Sequence, residues 1–204
     1  MKKCEFCEKI YEIFIINELL NRYKGADVYS PSQVKEAKLG YDVLFNFHNH
    51  RKLVVLQFKI CDEYIKKPNY LTNGKCFRFQ LHPNNNYYQH NSLVRKNNSK
   101  KYLAGYLVPY FNRYNELYSF HHQNIIIDNS FFIFSNKMIN DVKSHFINFD
   151  SDSAYQHSTE IVKIEKIKGV DINKFIEELD YISKDEFYDI ISNSRDDNAY
   201  YLLL

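Results

Sequence analysis

The chain has 204 residues, enough for one sizeable domain or one domain with a small appendage. Its composition is globular, at 45% hydrophobic and 25% charged, and a net charge of +2 neither demands nor excludes a nucleic-acid partner, since a basic stripe can hide in that balance. No run reaches the roughly 18 uncharged apolar residues that span a bilayer, and Glu5, Glu8, Lys9 and Glu12 interrupt any signal-peptide core, so a cytoplasmic protein without a membrane partner is expected.

Residues 5 to about 23 carry Phe6, Ile10, Ile13, Phe14, Leu20 and Tyr23 at helical spacing, with Gly25 as the terminating residue. A short extended piece at Val28-Tyr29 follows. Ser30-Pro31-Ser32-Gln33 opens a helix running to about Lys38, and Gly40 turns the chain out of it. Gly40 to Phe45 and Leu53 to Ile60 then read as a β-hairpin about a polar turn, His48-Asn49-His50-Arg51. Cys76 to Leu81 alternates as a third strand, Tyr87 to Arg95 suits a helix, and Tyr102 to Val108 is a fourth strand stopped by Pro109. If strands three and four are parallel, the intervening helix is their crossover.

Beyond these, a helix is expected from about Phe111 to Tyr118. A hairpin is expected from Ile125-Ile126-Ile127 and Phe131 to Phe134, and a strand at Ile161 to Ile164. Amphipathic helices are expected at about 172–181 and 184–192. The tail Tyr200 to Leu204 is too apolar for a free end and should pack against the body. With no internal repeat and no long linker, the order predicts a single α/β domain over residues 1–204.

Asp42, Gln57 and Lys59 carry the chemistry. Residues two apart on a strand share a face, so Gln57 and Lys59 point the same way from the end of a buried strand, near a carboxylate on its hairpin partner. A carboxylate, an amide and an ammonium at the end of a core hairpin are costly unless they serve a site. The bland alternative makes Asp42 a strand-start residue bonded to backbone amides, with Gln57 and Lys59 on a solvent face.

This arrangement resembles the core of the PD-(D/E)xK nuclease superfamily, with Asp42 matching the strand aspartate and Gln57-Phe58-Lys59 the acid-x-Lys motif. Glu18 on the first helix, or Glu36 just before Asp42, matches the supporting acid. Gln57 departs from the pattern by replacing the usual acid, and an amide is a weaker ligand for Mg²⁺ than a carboxylate. The resemblance implies a mixed central sheet flanked by helices, a restriction-endonuclease-like core over about 5–110 and an elaboration of strands and helices over about 111–204. It further implies Mg²⁺ or Mn²⁺ held by Asp42 and Gln57, a nucleic-acid substrate with DNA favoured over RNA, and a place in bacterial restriction or defence. Two alternatives stay open. One is a catalytically silent module that binds nucleic acid or a protein. The other is an interaction subunit whose aromatic second half forms a homodimer or partner surface.

The remaining motifs take bland readings. Cys4, Cys7, Cys61 and Cys76 lack the paired spacing of a zinc knuckle, so free, buried thiols are expected rather than structural zinc. Phe47-His48-Asn49-His50 is a polar turn, and the adjacent rings of His121 and His122 should diverge. Lys66-Lys67, Arg95-Lys96 and Lys100-Lys101 are placed in loops, where they can meet phosphates.

Overall fold

The computed structural model describes residues 1–32, 35–36, 39–47, 53–71, 74–81, 83–98, 102–135, 138–139, 144–158, 160–168, 171 and 200–202, with the side chains of 83–88 and 200–202 excepted. The chain is mixed α/β. Among the described residues it forms helices α1 (Glu8–Arg22), α2 (Pro83–Asn97) and α3 (Tyr114–Gln123) and two sheets.

The larger sheet is built around the expected hairpin. Strand β2 (Val43–Asn46) lies antiparallel to β3 (Leu53–Phe58), with Val43 opposite Leu56. Strand β1 (Asp27–Ser30) flanks β2, and β12 (Tyr200–Leu202) closes that edge, so the apolar tail packs as an added strand. On the other side of β3 stand β6 (Tyr102–Pro109), β7 (Ser130–Phe134) and β11 (Lys166–Lys168), giving the order β11-β7-β6-β3-β2-β1-β12. The β3–β6 pair is parallel and every other pair is antiparallel.

The second sheet is antiparallel throughout, in the order β10-β9-β8-β5-β4. Its strands are β4 (Asp62–Glu63), β5 (Phe77–Leu81), β8 (His145–Phe149), β9 (Ala154–His157) and β10 (Ile161–Ile164). The expected third and fourth strands, β5 and β6, therefore belong to different sheets. Helix α2 carries the chain from one sheet to the other, and the parallel partner of β6 is β3.

Both faces of the sheet are buried at β3, which explains why that strand is apolar at nearly every position. Val54, Leu56 and Phe58 join one core with Tyr11, Ile15 and Leu19 of α1 and Leu117 of α3. Leu53 and Val55 join the other, with Leu93 of α2 and Phe77, Phe79 and Ile147 of the second sheet. At Gly105 a Cβ would lie 2.4 Å from the Ile133 carbonyl oxygen and 2.7 Å from Phe132, so β6 and β7 approach closely only because that side chain is missing.

Two expected elements take a different form. Helix α3 begins at Tyr114 rather than Phe111, because the Glu5 carboxylate accepts the Tyr114 N–H at 3.1 Å while Phe111 turns into the core. The expected 125–134 hairpin is absent. Asn124 ends α3 in a left-handed turn at φ 60°, and Glu18 Oε2 accepts the Ile126 N–H at 2.7 Å. A 3₁₀ turn (Ile127–Asn129) then leads straight into β7. Strands β8 and β9 are joined by a turn in which Asp150 Oδ1 accepts the N–H groups of Asp152 and Ser153. The helices expected at 172–181 and 184–192 lie outside the described residues, as does the 48–50 turn.

Candidate active site

The ladder brings the sequence candidates into one row. The Asp42 N–H donates to the carbonyl of Leu56, the residue opposite Val43, at 3.0 Å, which holds Asp42 at the end of the β2–β3 ladder. Gln57 in turn stands beside Tyr106 in the parallel pair. Side chains alternate along β3, so Gln57 shares the face of Leu53 and Val55 and looks toward α2. There its Nε2 donates to Gln89 Oε1 at 3.1 Å. Gly40 permits this approach. Its φ is +77°, and a Cβ would stand 2.4 Å from the Gln89 carbonyl oxygen.

Behind the row, the Tyr106 hydroxyl meets His90 Nδ1 at 2.9 Å, and His90 Nε2 meets the Ile139 carbonyl at 3.2 Å. A carbonyl only accepts. A neutral His90 therefore carries its hydrogen on Nε2 and takes the tyrosine hydrogen at Nδ1.

Asp42 is buried, and its Oδ2 accepts the Phe58 N–H at 2.6 Å. Burial pushes its carboxyl up to about 8, against the lowering pull of Lys59 and of that amide, while Glu36 and Glu8 push it further up. Lys59 follows the last residue of β3, and its N–H donates to the Leu107 carbonyl, prolonging the ladder. Its Nζ lies 3.1 and 3.3 Å from the two oxygens of Glu8, at the start of α1. Glu12, one turn along α1, is also buried. Burial raises its carboxyl, the ion pair with Lys9 lowers it, and Glu36 and Glu8 raise it again. Glu8, Glu12, Glu36 and Asp42 thus share one field with Lys9 and Lys59, an excess of acid that favours a bound cation.

Glu18 serves elsewhere. It pairs with Arg22 at 2.5 Å and caps the Ile126 and Ile127 amides, and Arg22 also holds Asp128. Of the two supporting acids expected from sequence, Glu36 lies within electrostatic reach of Asp42 and Glu18 supports the α1–α3 packing. Sequence reading passed over Glu8 and Glu12. Their spacing of four places them on one face of α1, the signal that would have found them.

The donor set, carboxylates with an amide carbonyl, suits a hard divalent cation, and the ionised form of Asp42 is disfavoured until further positive charge arrives. Among the described residues no three His, Cys, Asp or Glu side chains stand as a ready metal cage, so such an ion would also draw on Gln57 or water.

The other motifs resolve plainly. Cys61 and Cys76 are buried thiols, whereas Cys4 is half-buried and Cys7 is exposed, contrary to the expectation that all four lie inside. Burial raises the Cys4 thiol to about 11. Arg95 and Lys96 lie in the last turn of α2 rather than in a loop, and Lys96 Nζ sits 5.2 Å from the Tyr41 ring centroid, where burial lowers its pKa. His121 stacks on Phe14 at 4.0 Å, its ring tilted 40° from that of His122.

Among the described residues no helix is long and apolar enough to cross a membrane. The class of protein the fold defines is thus a mixed α/β protein with two packed sheets and an acid-rich strand-end site. Comparison with protein-family models, curated proteins and solved structures finds no match.

Proposed function

We propose that the protein is a divalent-metal-dependent phosphodiesterase acting on nucleic acid, with a core resembling the PD-(D/E)xK nucleases. The observation that carries this reading is the electrostatic grouping of Asp42 with Lys59, Glu36 and Glu8 at the end of the β2–β3 hairpin, with Glu12 in the same field. The element order supports it as well: α1, the antiparallel strands β1, β2 and β3, then, after β4 and β5 of the second sheet, α2 and a strand parallel to β3.

Asp42 and the Gln57 carbonyl would hold Mg²⁺ or Mn²⁺, with Glu36 or Glu12 contributing directly or through water. The ion supplies charge neutralisation at the phosphate and a more acidic water. Lys59, held by Glu8, orients the attacking water and offsets charge on the phosphate oxygens. Water oxygen bonds to phosphorus and releases one proton to solvent, the bond to the leaving oxygen breaks, and that oxygen takes up a proton from solvent. A role in restriction or defence belongs to this proposal through the resemblance alone.

One observation favours a second reading, a silent binding module. The Gln57 amide is engaged by Gln89 in a buried hydrogen bond, an arrangement that also serves pure packing. Cleavage of single- and double-stranded DNA and RNA in Mg²⁺ or Mn²⁺ separates the two. Cleavage that falls by about a hundredfold or more in Asp42→Ala and Lys59→Ala is the expected result. Folded wild-type protein that cuts none of these with either metal overturns the phosphodiesterase reading.

A further inference from the structure

A cleft of about 530 Å³ opens from the Glu8–Lys59 pair onto the second sheet, and Lys3, Arg78, Gln80 and Phe146 are among its lining residues. Strand β5 alternates buried and half-buried positions. Phe77, Phe79 and Leu81 enter the core, and Arg78 and Gln80 take the outer face. In the β5–β8 register Arg78 pairs with Asn148 and Gln80 with Phe146. The cleft floor is therefore a flat strip of sheet carrying a cation, an amide and a ring.

Arg78 is unusually fixed for a half-exposed arginine. Its Nε donates to Asn148 Oδ1 at 2.6 Å, and its guanidinium lies between the rings of Tyr64 and Phe146, at 3.9 and 4.8 Å from their centroids. Lys3 in the same cleft is neutralised by Asp62 at 2.8 Å, and Lys59 by Glu8. Among the described residues Arg78 has no carboxylate partner, and its two terminal nitrogens make no hydrogen bond. A pre-oriented guanidinium fork with two spare nitrogens matches the oxygens of a phosphate. Beside it the Gln80 amide, whose Nε2 donates to the Ser144 hydroxyl at 2.7 Å, keeps its carbonyl oxygen for a base edge.

We propose that this cleft binds a single strand of nucleic acid leading into the candidate site, with Arg78 clamping a phosphate next to the one cleaved. Its lining sets the substrate class. Gln80 can meet a base edge only where that edge is unpaired, so an unpaired strand suits the floor better than a duplex. The inference rests on the phosphodiesterase reading for the direction of the strand and adds what that reading leaves open, a preference for unpaired substrate.

The test is equilibrium binding of a fluorescein-labelled 12-mer deoxyoligonucleotide to the full chain in EDTA, where cleavage plays no part. The wild type should bind the single strand at least tenfold more tightly than the matching duplex. Arg78→Ala should lose about tenfold or more, as when a charge-assisted hydrogen bond is removed, and its log–log salt slope should be shallower by about 0.7. Arg78→Lys should fall between the two, keeping the charge without the fork. A strand with methylphosphonate linkages should bind the wild type weakly, a readout that stands even if Arg78→Ala fails to fold. Equal affinity for strand and duplex, or undiminished binding of the uncharged strand, overturns the proposal. Tight single-strand binding without cleavage in any metal refutes the phosphodiesterase reading and leaves the cleft standing. Cleavage with no strand preference does the reverse.

Discussion

Asp42→Asn should make the protein more stable and inactive, and the gain should grow with pH. The carboxyl is buried, its ordinary value of 3.8 is raised to about 8 chiefly by burial, and Lys59 opposes that rise only in part. For an acid whose folded value is raised, the native state holds the proton while the unfolded chain releases it. Stability is then full below about 4 and declines as pH rises through about 8, the sign that linkage requires. The rise from 3.8 to about 8 sets a ceiling of about 6 kcal/mol, at about 1.4 kcal/mol per pH unit. Water entry and relaxation reduce this, so a gain of about 1–3 kcal/mol at pH 9 is expected. Asparagine keeps an oxygen to accept the Phe58 N–H at the present 2.6 Å, so that bond does not confound the comparison. Urea unfolding of both proteins from pH 4 to pH 9 reads the difference, which should be smallest at the acid end and level off above about pH 8. Millimolar Mg²⁺ should then stabilise the wild type alone, because only its native state binds the ion. A variant less stable than wild type at pH 9, or a difference flat across pH, refutes the reasoning.

Three further outcomes follow from neighbouring contacts. Glu18→Ala removes a partner of Arg22 and the acceptor for two backbone amides, so chemical denaturation should show a loss of about 2–4 kcal/mol, while cleavage per folded molecule stays unchanged. Gln57→Glu adds a second buried acid at the strand end that holds Asp42. The metal-free melting temperature should drop and Mg²⁺ should bind more tightly, and calorimetry showing an unaltered affinity would exclude Gln57 as a ligand. Gly105→Ala drives a methyl into the Ile133 carbonyl and Phe132, costing about 1–3 kcal/mol by urea unfolding, and a neutral result would show that β6 and β7 can part freely.

Much of the candidate site was legible in the sequence because it sits on local patterns. The apolar run of β3, the Gly40 turn and the two-residue spacing of Gln57 and Lys59 are all short-range signals. Pairing of two adjacent strands follows from them with little help. The choice between Glu18 and Glu36 was not legible, because both are acids near Asp42 in the chain. Only the packing of α1 against the Ile126–Asp128 turn shows that Glu18 is occupied.

The chain by itself determined where helices and strands begin to be favourable: α1 from its helical period, the β2–β3 hairpin from its two apolar runs and the polar turn between them, and the middle of α2 from the stretch Tyr87 to Arg95. Tertiary structure decided everything that depends on distant partners. It assigned β5 and β6 to different sheets, placed Tyr200–Leu202 beside β1, and put the Glu8 carboxylate of α1 next to Lys59. Periodicity reports which face of an element is apolar but carries no record of what covers that face. Choosing the cover requires the whole chain to bury its surface at once, and in doing so it assembles a buried, charged site from residues far apart in sequence.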